Sequence, residues 1–226
     1  MMIKKMIGCG LSLFIAAASL SAVSLASANS QTPNVKLDDR DDRLEQNLSK
    51  EYPARLRRNG AVLALKPVTG SIKLFKNVDS DSDTFRRYQL KKYFPAIEYA
   101  LLETAFYEGG TYDLINMRNG QQTSVDGDVV LSPDQQRFAV AHADIEAGYG
   151  PNVLSVYLIT SNGLIKEFDI RPTEWGAEEI KWDSANSISF TKRYWKKDQI
   201  AKSKHTLQFQ GSDIKKQGKW ISNVKD

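Results

Sequence analysis

The sequence predicts an all-β fold, a propeller-like array of about 3.5–4 four-stranded antiparallel blades, open or completed by its N-terminal arm. Three observations predict it. From Ala61 onward, short apolar runs are cut by turn residues at spacings of about 8–12, the texture of all-β chains. The segment from Val129 to Ile170 reads as four strands in succession, beginning at Val129, Arg137, Leu154 and Leu164. The third strand of that pattern recurs at Ala61, Thr111, Leu154 and His205, at intervals of 50, 43 and 51 residues, which suits a propeller blade. Leu154, Val156, Tyr157, Leu158 and Ile159 make that strand apolar on both faces, as a strand enclosed between two neighbouring sheets must be. A β-sandwich makes the same demand and is the alternative architecture.

The chain opens on residues that read as an address. Lys4 and Lys5 precede an apolar stretch from Met6 to Leu20, and Ala26-Ser27-Ala28 offers a small-residue cleavage site. This is the pattern of a secretory signal peptide. Cleavage after Ala28 leaves 198 of the 226 residues and removes Cys9, the one cysteine. The expected location is periplasmic or secreted, with no disulfide and no transmembrane span in the mature chain. Of 31 basic and 27 acidic residues, two lysines leave with the signal, so the mature balance is +2. A chain this close to neutral makes nucleic acid an unlikely partner class.

Residues 29–58 read as a charged arm. The run Asp38-Asp39-Arg40-Asp41-Asp42-Arg43 is followed by Leu44 and Leu48 at helical spacing. The β domain is expected over residues 59–226. Lettering strands a to d from the axis outward, residues 61–66 and 71–75 form strands c and d of an incomplete first blade. Residues 88–96, 99–107, 111–116 and 121–125 form the second. The third is the 129–170 pattern. Residues 178–182, 187–193, 205–210 and 219–222 form the fourth. The c–d connections carry Gly70, Gly120, Gly163, and Gly211 or Gly218. Asn119-Gly120 and Asn162-Gly163 suit the positive φ angles of tight hairpins. The missing inner strands of the first blade have two candidates in the arm, residues 34–37 and 52–56; otherwise an unpaired edge remains, open to self-association.

Val130-Leu131-Ser132-Pro133-Asp134, then Arg137 to Val140, then Tyr157-Leu158-Ile159 and Gly163, resembles the WD40-like (PD40-like) repeat of periplasmic TolB-type propellers. The resemblance covers the third blade well, the fourth moderately and the second in strand order alone. Gln135 stands where the repeat usually carries glycine, and the fourth copy lacks Ser-Pro-Asp. What the resemblance implies is a scaffold for protein contact, since a fold by itself assigns no reaction.

The lettering sorts the loops. The a–b and c–d turns lie on one rim and are mostly short. The b–c and d–a loops lie on the other and are long and chemically dense: residues 77–87, 142–152, 171–177 and 194–204. Long loops on one rim of a rigid scaffold are where binding concentrates. The candidate partner-binding residues are His142, Asp144, Glu146, Tyr149 and Asn152 of the third blade, and Trp175, Tyr194, Trp195, Lys196 and Lys197 of the fourth. Two carboxylates and an imidazole in one loop have the chemistry for a metal or for acid–base work, yet the same residues suit a solvated turn. Asp79, Asp81 and Asp83 alternate like a calcium loop but lack its glycine and its final glutamate. The segment from Lys192 to Lys204 interleaves bases with aromatics, suited to an anionic envelope component or to the acidic loop beside it. No nucleophile elbow, P-loop or zinc-protease motif occurs, so no catalytic residue, cofactor or metal is expected. The predicted function is a non-enzymatic binding module that uses a protein or anionic envelope partner. The alternative is a small carbohydrate- or ester-cleaving hydrolase using Asp144 and Glu146.

Overall fold

Alternating apolar residues in runs of four to twelve produce fifteen strands among the described residues, preceded by one helix. The computed structural model describes residues 39–211 and 218–224. The address segment and the strand candidate at residues 34–37 lie outside them.

The elements follow one another as successive antiparallel meanders. Helix α1 (Asp39–Glu51) leads into a first sheet of β1 (Leu56–Asn59), β2 (Val62–Leu65) and β3 (Lys73–Lys76). The second sheet holds β4 (Arg87–Phe94), β5 (Tyr99–Ala105), β6 (Gly110–Asn116) and β7 (Gln122–Val125). The third holds β8 (Asp128–Leu131), β9 (Arg137–His142), β10 (Val153–Thr160) and β11 (Gly163–Ile170). The fourth holds β12 (Trp175–Ser184), β13 (Ser187–Lys196), β14 (Gln199–Gln210) and β15 (Lys219–Ser222). Within each sheet every strand pairs with its neighbour in sequence, so the predicted a-to-d order holds in sheets two to four. The fold is all-β, a propeller-like succession of sheets.

The strand period of two explains the packing. In β5, Ala100 and Leu102 face the first sheet, whereas Tyr99 and Leu101 face the third. In β9, Phe138 and Val140 face the second sheet, and Ala139 and Ala141 face the fourth. In β10, Tyr157 joins the core shared with the second sheet, and Leu154 and Val156 the core shared with the fourth. The two-sided apolar character of this strand is therefore its position between two sheets. Each of the three interfaces has its own hydrophobic cluster. The inner strands are also stitched together: the Lys92 ammonium donates to the Val129 carbonyl at 3.1 Å, and the Trp182 indole to that of Val130 at 3.0 Å.

No cluster among the described residues joins the fourth sheet to the first. The outward face of the fourth sheet there is polar, with Thr191 and Lys204 both donating to the Glu179 carboxylate. The outward face of the first sheet carries Leu74, 67% exposed.

The start of the fold differs from expectation. The first sheet reaches back to Leu56, inside the segment read as an arm, and its strand b is 56–59 rather than 52–56. Helix α1 then takes the place of strand a. It runs alongside β4 in the same direction: Gln89 donates to Asp42 at 3.1 Å, the Leu90 N–H to Glu45 at 2.8 Å, and Tyr52 meets Tyr93 edge-to-face at 4.8 Å. Glu45 is 6% exposed and receives both Nε and Nη2 of Arg58, the latter at 2.8 Å. Leu48 and Tyr52 pack on the cluster of the first and second sheets. A helix fits the slot because its backbone bonds are internal, so it docks through side chains and needs no ladder partner.

The fourth sheet is the other correction. Residues 194–204 are not a loop. β13 and β14 continue as a ladder to the pair Lys196–Gln199, closed by Lys197 and Asp198 with φ of 50° and 60°. Two consecutive left-handed residues make the hairpin turn whose twist matches the strands. β12 begins at Trp175, not Glu178, which shortens the preceding loop and draws that ring into the core.

Candidate binding rim

The β9–β10 loop is built around one carboxylate. Oδ1 of Asp144 accepts the N–H groups of Ala147 and Gly148, both at 3.1 Å, and Oδ2 accepts that of Gly150 at 2.9 Å. The Asp144 N–H donates to the Asn152 side-chain carbonyl at 2.8 Å. His142 closes the base of the loop with its Nδ1 on the Pro151 carbonyl at 2.8 Å; because a carbonyl accepts, Nδ1 carries the proton. Three of the candidate residues, His142, Asp144 and Asn152, thus hold the loop in shape.

The backbone N–H of Gly150, followed by those of Gly148, Ala147 and Tyr149, holds the Asp144 carboxyl below its ordinary 3.8, against the opposing effect of desolvation. A depressed folded-state pKa stabilises above the unfolded value and ceases to do so as pH falls through the folded one. The anchorage of the loop therefore contributes in full above pH 3.8 and is lost as pH falls from there through the lower folded-state value. Amide-exchange protection of Ala147, Gly148 and Gly150 should fall selectively below that pH, while β9 and β10 stay protected. Equal loss in loop and strands would refute the anchoring role.

The hairpin of the fourth sheet lies on this loop. The Arg193 guanidinium pairs with Glu146, and the Trp195 indole donates to the Ile145 carbonyl at 2.9 Å. Gly176 sets the approach: a Cβ there would stand 2.4 Å from Cα and Cβ of Ala143 and 2.7 Å from the Asn152 oxygen. Gly176→Ala is expected to destabilise by about 1–3 kcal/mol through overpacking and to unclamp the loop. Denaturant midpoints together with exchange protection at residues 144–152 measure both effects; unchanged loop protection would sink the second.

The remaining candidates take distinct places. Tyr149 is 77% exposed and Trp195 is 50% exposed. Lys196 and Lys197 are exposed at the hairpin tip. Tyr194 and Trp195 line a cleft of about 380 Å³ with Arg171, Glu174 and Lys192. Trp175 borders it from the core side, itself buried, with the Lys192 ammonium 4.9 Å from its ring centre. Arg171 is held by Asp126 at 2.7 Å and Asp169 at 3.6 Å, and the Asp126 hydrogen bond in particular raises its pKa. Lys202 and Arg193 flank Glu178. Much of the basic segment is thus balanced by neighbouring acids.

No group of three or more metal-ligating side chains gathers among the described residues. In the 79–84 segment, Ser80, Ser82 and Thr84 bond to one another through their hydroxyls at 2.7–2.9 Å. The sequence reading missed Gly176, although a glycine and Ala177 directly after a tryptophan in a strand signal close backbone approach. No helix among the described residues is long and apolar enough to cross a membrane. No family model, curated protein or solved structure matches the chain.

Proposed function

We propose that the protein is an exported, non-enzymatic binding module that engages a protein or anionic envelope component through the rim formed by the 143–152 loop and the β13–β14 hairpin. One observation carries this reading: the hairpin and the loop are clamped into a single surface by Arg193–Glu146 and Trp195–Ile145, which leaves Tyr149, Trp195, Lys196 and Lys197 outward. Preorganised aromatic and cationic side chains are the groups that anchor interfaces.

The hydrolase reading gains nothing from the same geometry. A general acid needs a raised pKa, whereas Asp144 is held low by backbone N–H groups and Glu146 is occupied by Arg193. Export rests on residues 1–28, and N-terminal sequencing of protein recovered from the envelope should begin at Asn29.

The binding reading is tested by capture from an envelope extract with wild type and with the combined variant Tyr149→Ala, Lys196→Glu, Lys197→Glu, which leaves the Trp195–Ile145 clamp in place. Loss of a specific captured species at unchanged melting temperature supports it. Identical capture by both proteins overturns it.

A further inference from the structure

The opposite rim, with its short turns, carries a second feature of a different kind. Among the described residues five non-glycines have left-handed backbone: Glu98, Gln135, Glu179, Lys197 and Asp198. That conformation disfavours any side chain bearing a Cβ. Each has a visible setting. Glu98 receives Arg55 at 3.3 Å and the Tyr93 hydroxyl at 3.0 Å. Glu179 receives Thr191 at 2.6 Å and Lys204 at 2.7 Å. Lys197 and Asp198 close the long hairpin. Gln135, at φ 58°, likewise closes a turn, its N–H on the Ser132 carbonyl at 2.9 Å, but its carboxamide bonds to no described residue. What the side chain does border is a cleft.

This cleft, about 340 Å³, lies between the second and third sheets, at the small end of ligand-sized sites. Arg118 and Asp134 both line it, yet they form no ion pair with each other or with any other described residue. The Arg118 backbone is pinned, its N–H on the Asn116 side chain at 2.9 Å and its carbonyl receiving the Thr69 hydroxyl at 2.8 Å. Asp134 uses Oδ1 for the Ser132 hydroxyl at 2.6 Å and the Gln136 N–H at 3.2 Å, leaving Oδ2 open. Deeper in, the Tyr99 hydroxyl accepts Asn116 at 3.3 Å while its own proton has no described acceptor, and burial, the largest influence, raises its pKa. Ile97 and Ile159 form the apolar wall.

We infer that this cleft binds a free zwitterionic α-amino acid, its carboxylate on Arg118, its ammonium on Asp134 and its side chain against the isoleucines, with Gln135 reaching over it. A guanidinium fork suits a carboxylate. An unpaired acid across the same small cleft suits an ammonium and disfavours a simple anion. The left-handed Gln135 then closes the turn with its backbone and offers its amide to the ligand.

The test is a titration of the full chain with L-alanine and L-leucine, followed by amide chemical shifts, with acetate and methylamine as single-charge controls. Saturable shifts at Arg118, Asp134, Gln135 and Ser161 are expected with the amino acids, and at least about tenfold weaker binding with either control. Arg118→Gln and Asp134→Asn should each weaken binding about tenfold; the asparagine keeps Oδ1 for the turn. Gln135→Gly should weaken binding several-fold at a melting temperature equal to or above that of wild type. No saturable shift with either amino acid overturns the proposal. So does acetate binding as well as alanine, binding unchanged in the Arg118 and Asp134 variants, or a lower melting temperature for Gln135→Gly, which would make that side chain a folding element.

Discussion

Arg137→Ala is expected to destabilise the protein by about 3–5 kcal/mol, the range for breaking a buried ion pair by removing one partner. Arg137 is 1% exposed. Its Nε and Nη2 fork onto Glu167 at 2.6 and 3.2 Å, and its guanidinium lies 4.7 Å from the Phe209 ring centre and 5.8 Å from that of Trp220. The Trp220 indole donates to the same carboxylate at 3.1 Å. One cation thus ties β9 and β11 of the third sheet to β14 and β15 of the fourth. Alanine leaves a partly buried carboxylate without its cation and removes the stacking under two aromatic rings. Lysine should rescue little, because it has neither the fork nor the flat face. The double variant Arg137→Met with Glu167→Gln should recover part of the loss, since it removes both charges and keeps an acceptor for Trp220. Urea midpoints followed by tryptophan emission measure all three. A single-variant loss below about 1 kcal/mol, the level of an exposed pair, would refute the account.

Glu45→Ala is the second large expectation, at about 3 kcal/mol or more. The carboxylate receives two bonds from Arg58 and one from the Leu90 backbone, and without it the Leu90 N–H and the Arg58 Nε lose their acceptor, while Nη2 keeps the Tyr88 carbonyl. Unlike the Arg137 variant, this one should act locally. Proteolysis within residues 42–51 and exchange along β1 should increase, while the third and fourth sheets keep their protection. Glu45→Gln retains an acceptor for Leu90 and loses the charge, so its loss should be intermediate. Uniform loss of protection across all four sheets would show that the helix is no separable unit.

Much of the fold was legible because strands enclosed by sheets announce themselves twice. Leu154 to Ile159 are apolar on both faces, and Asn162-Gly163 marks the turn that follows, so pattern and punctuation agree. The places where reading failed share a cause, which is tertiary contact overriding local texture. Leu44 and Leu48 showed the helical spacing, but the deepest contact is made by Glu45, through Arg58, a residue thirteen positions on. Residues 194–204 looked like a loop because lysines dominate, but one face of that ribbon rests on Ile145 and Glu146. Trp175 fell in the segment 171–177 expected as a rim loop, whereas it opens β12 beside Gly176, the gap through which the third sheet approaches. On the candidate rim the acidic loop and the basic segment were each visible; that each serves first as the other's counterweight is a matter of geometry, which spacing along the chain does not carry.

The helix in the place of a strand has a consequence for the order in which the chain assembles. A strand a in the first sheet could zip onto β1 as soon as β1 existed, with a short turn between them. Helix α1 meets Arg58 of β1 after thirteen residues, but its dock is complete only when the Leu90 N–H, 45 residues on, reaches Glu45, and loop closure over that distance must come first. The helix is therefore among the later elements to complete its native contacts, although it precedes every strand in the sequence. It stays a solvated, highly charged stretch until β4 has arrived to receive it, and its composition of acids and arginines is what keeps it from collapsing elsewhere in the meantime.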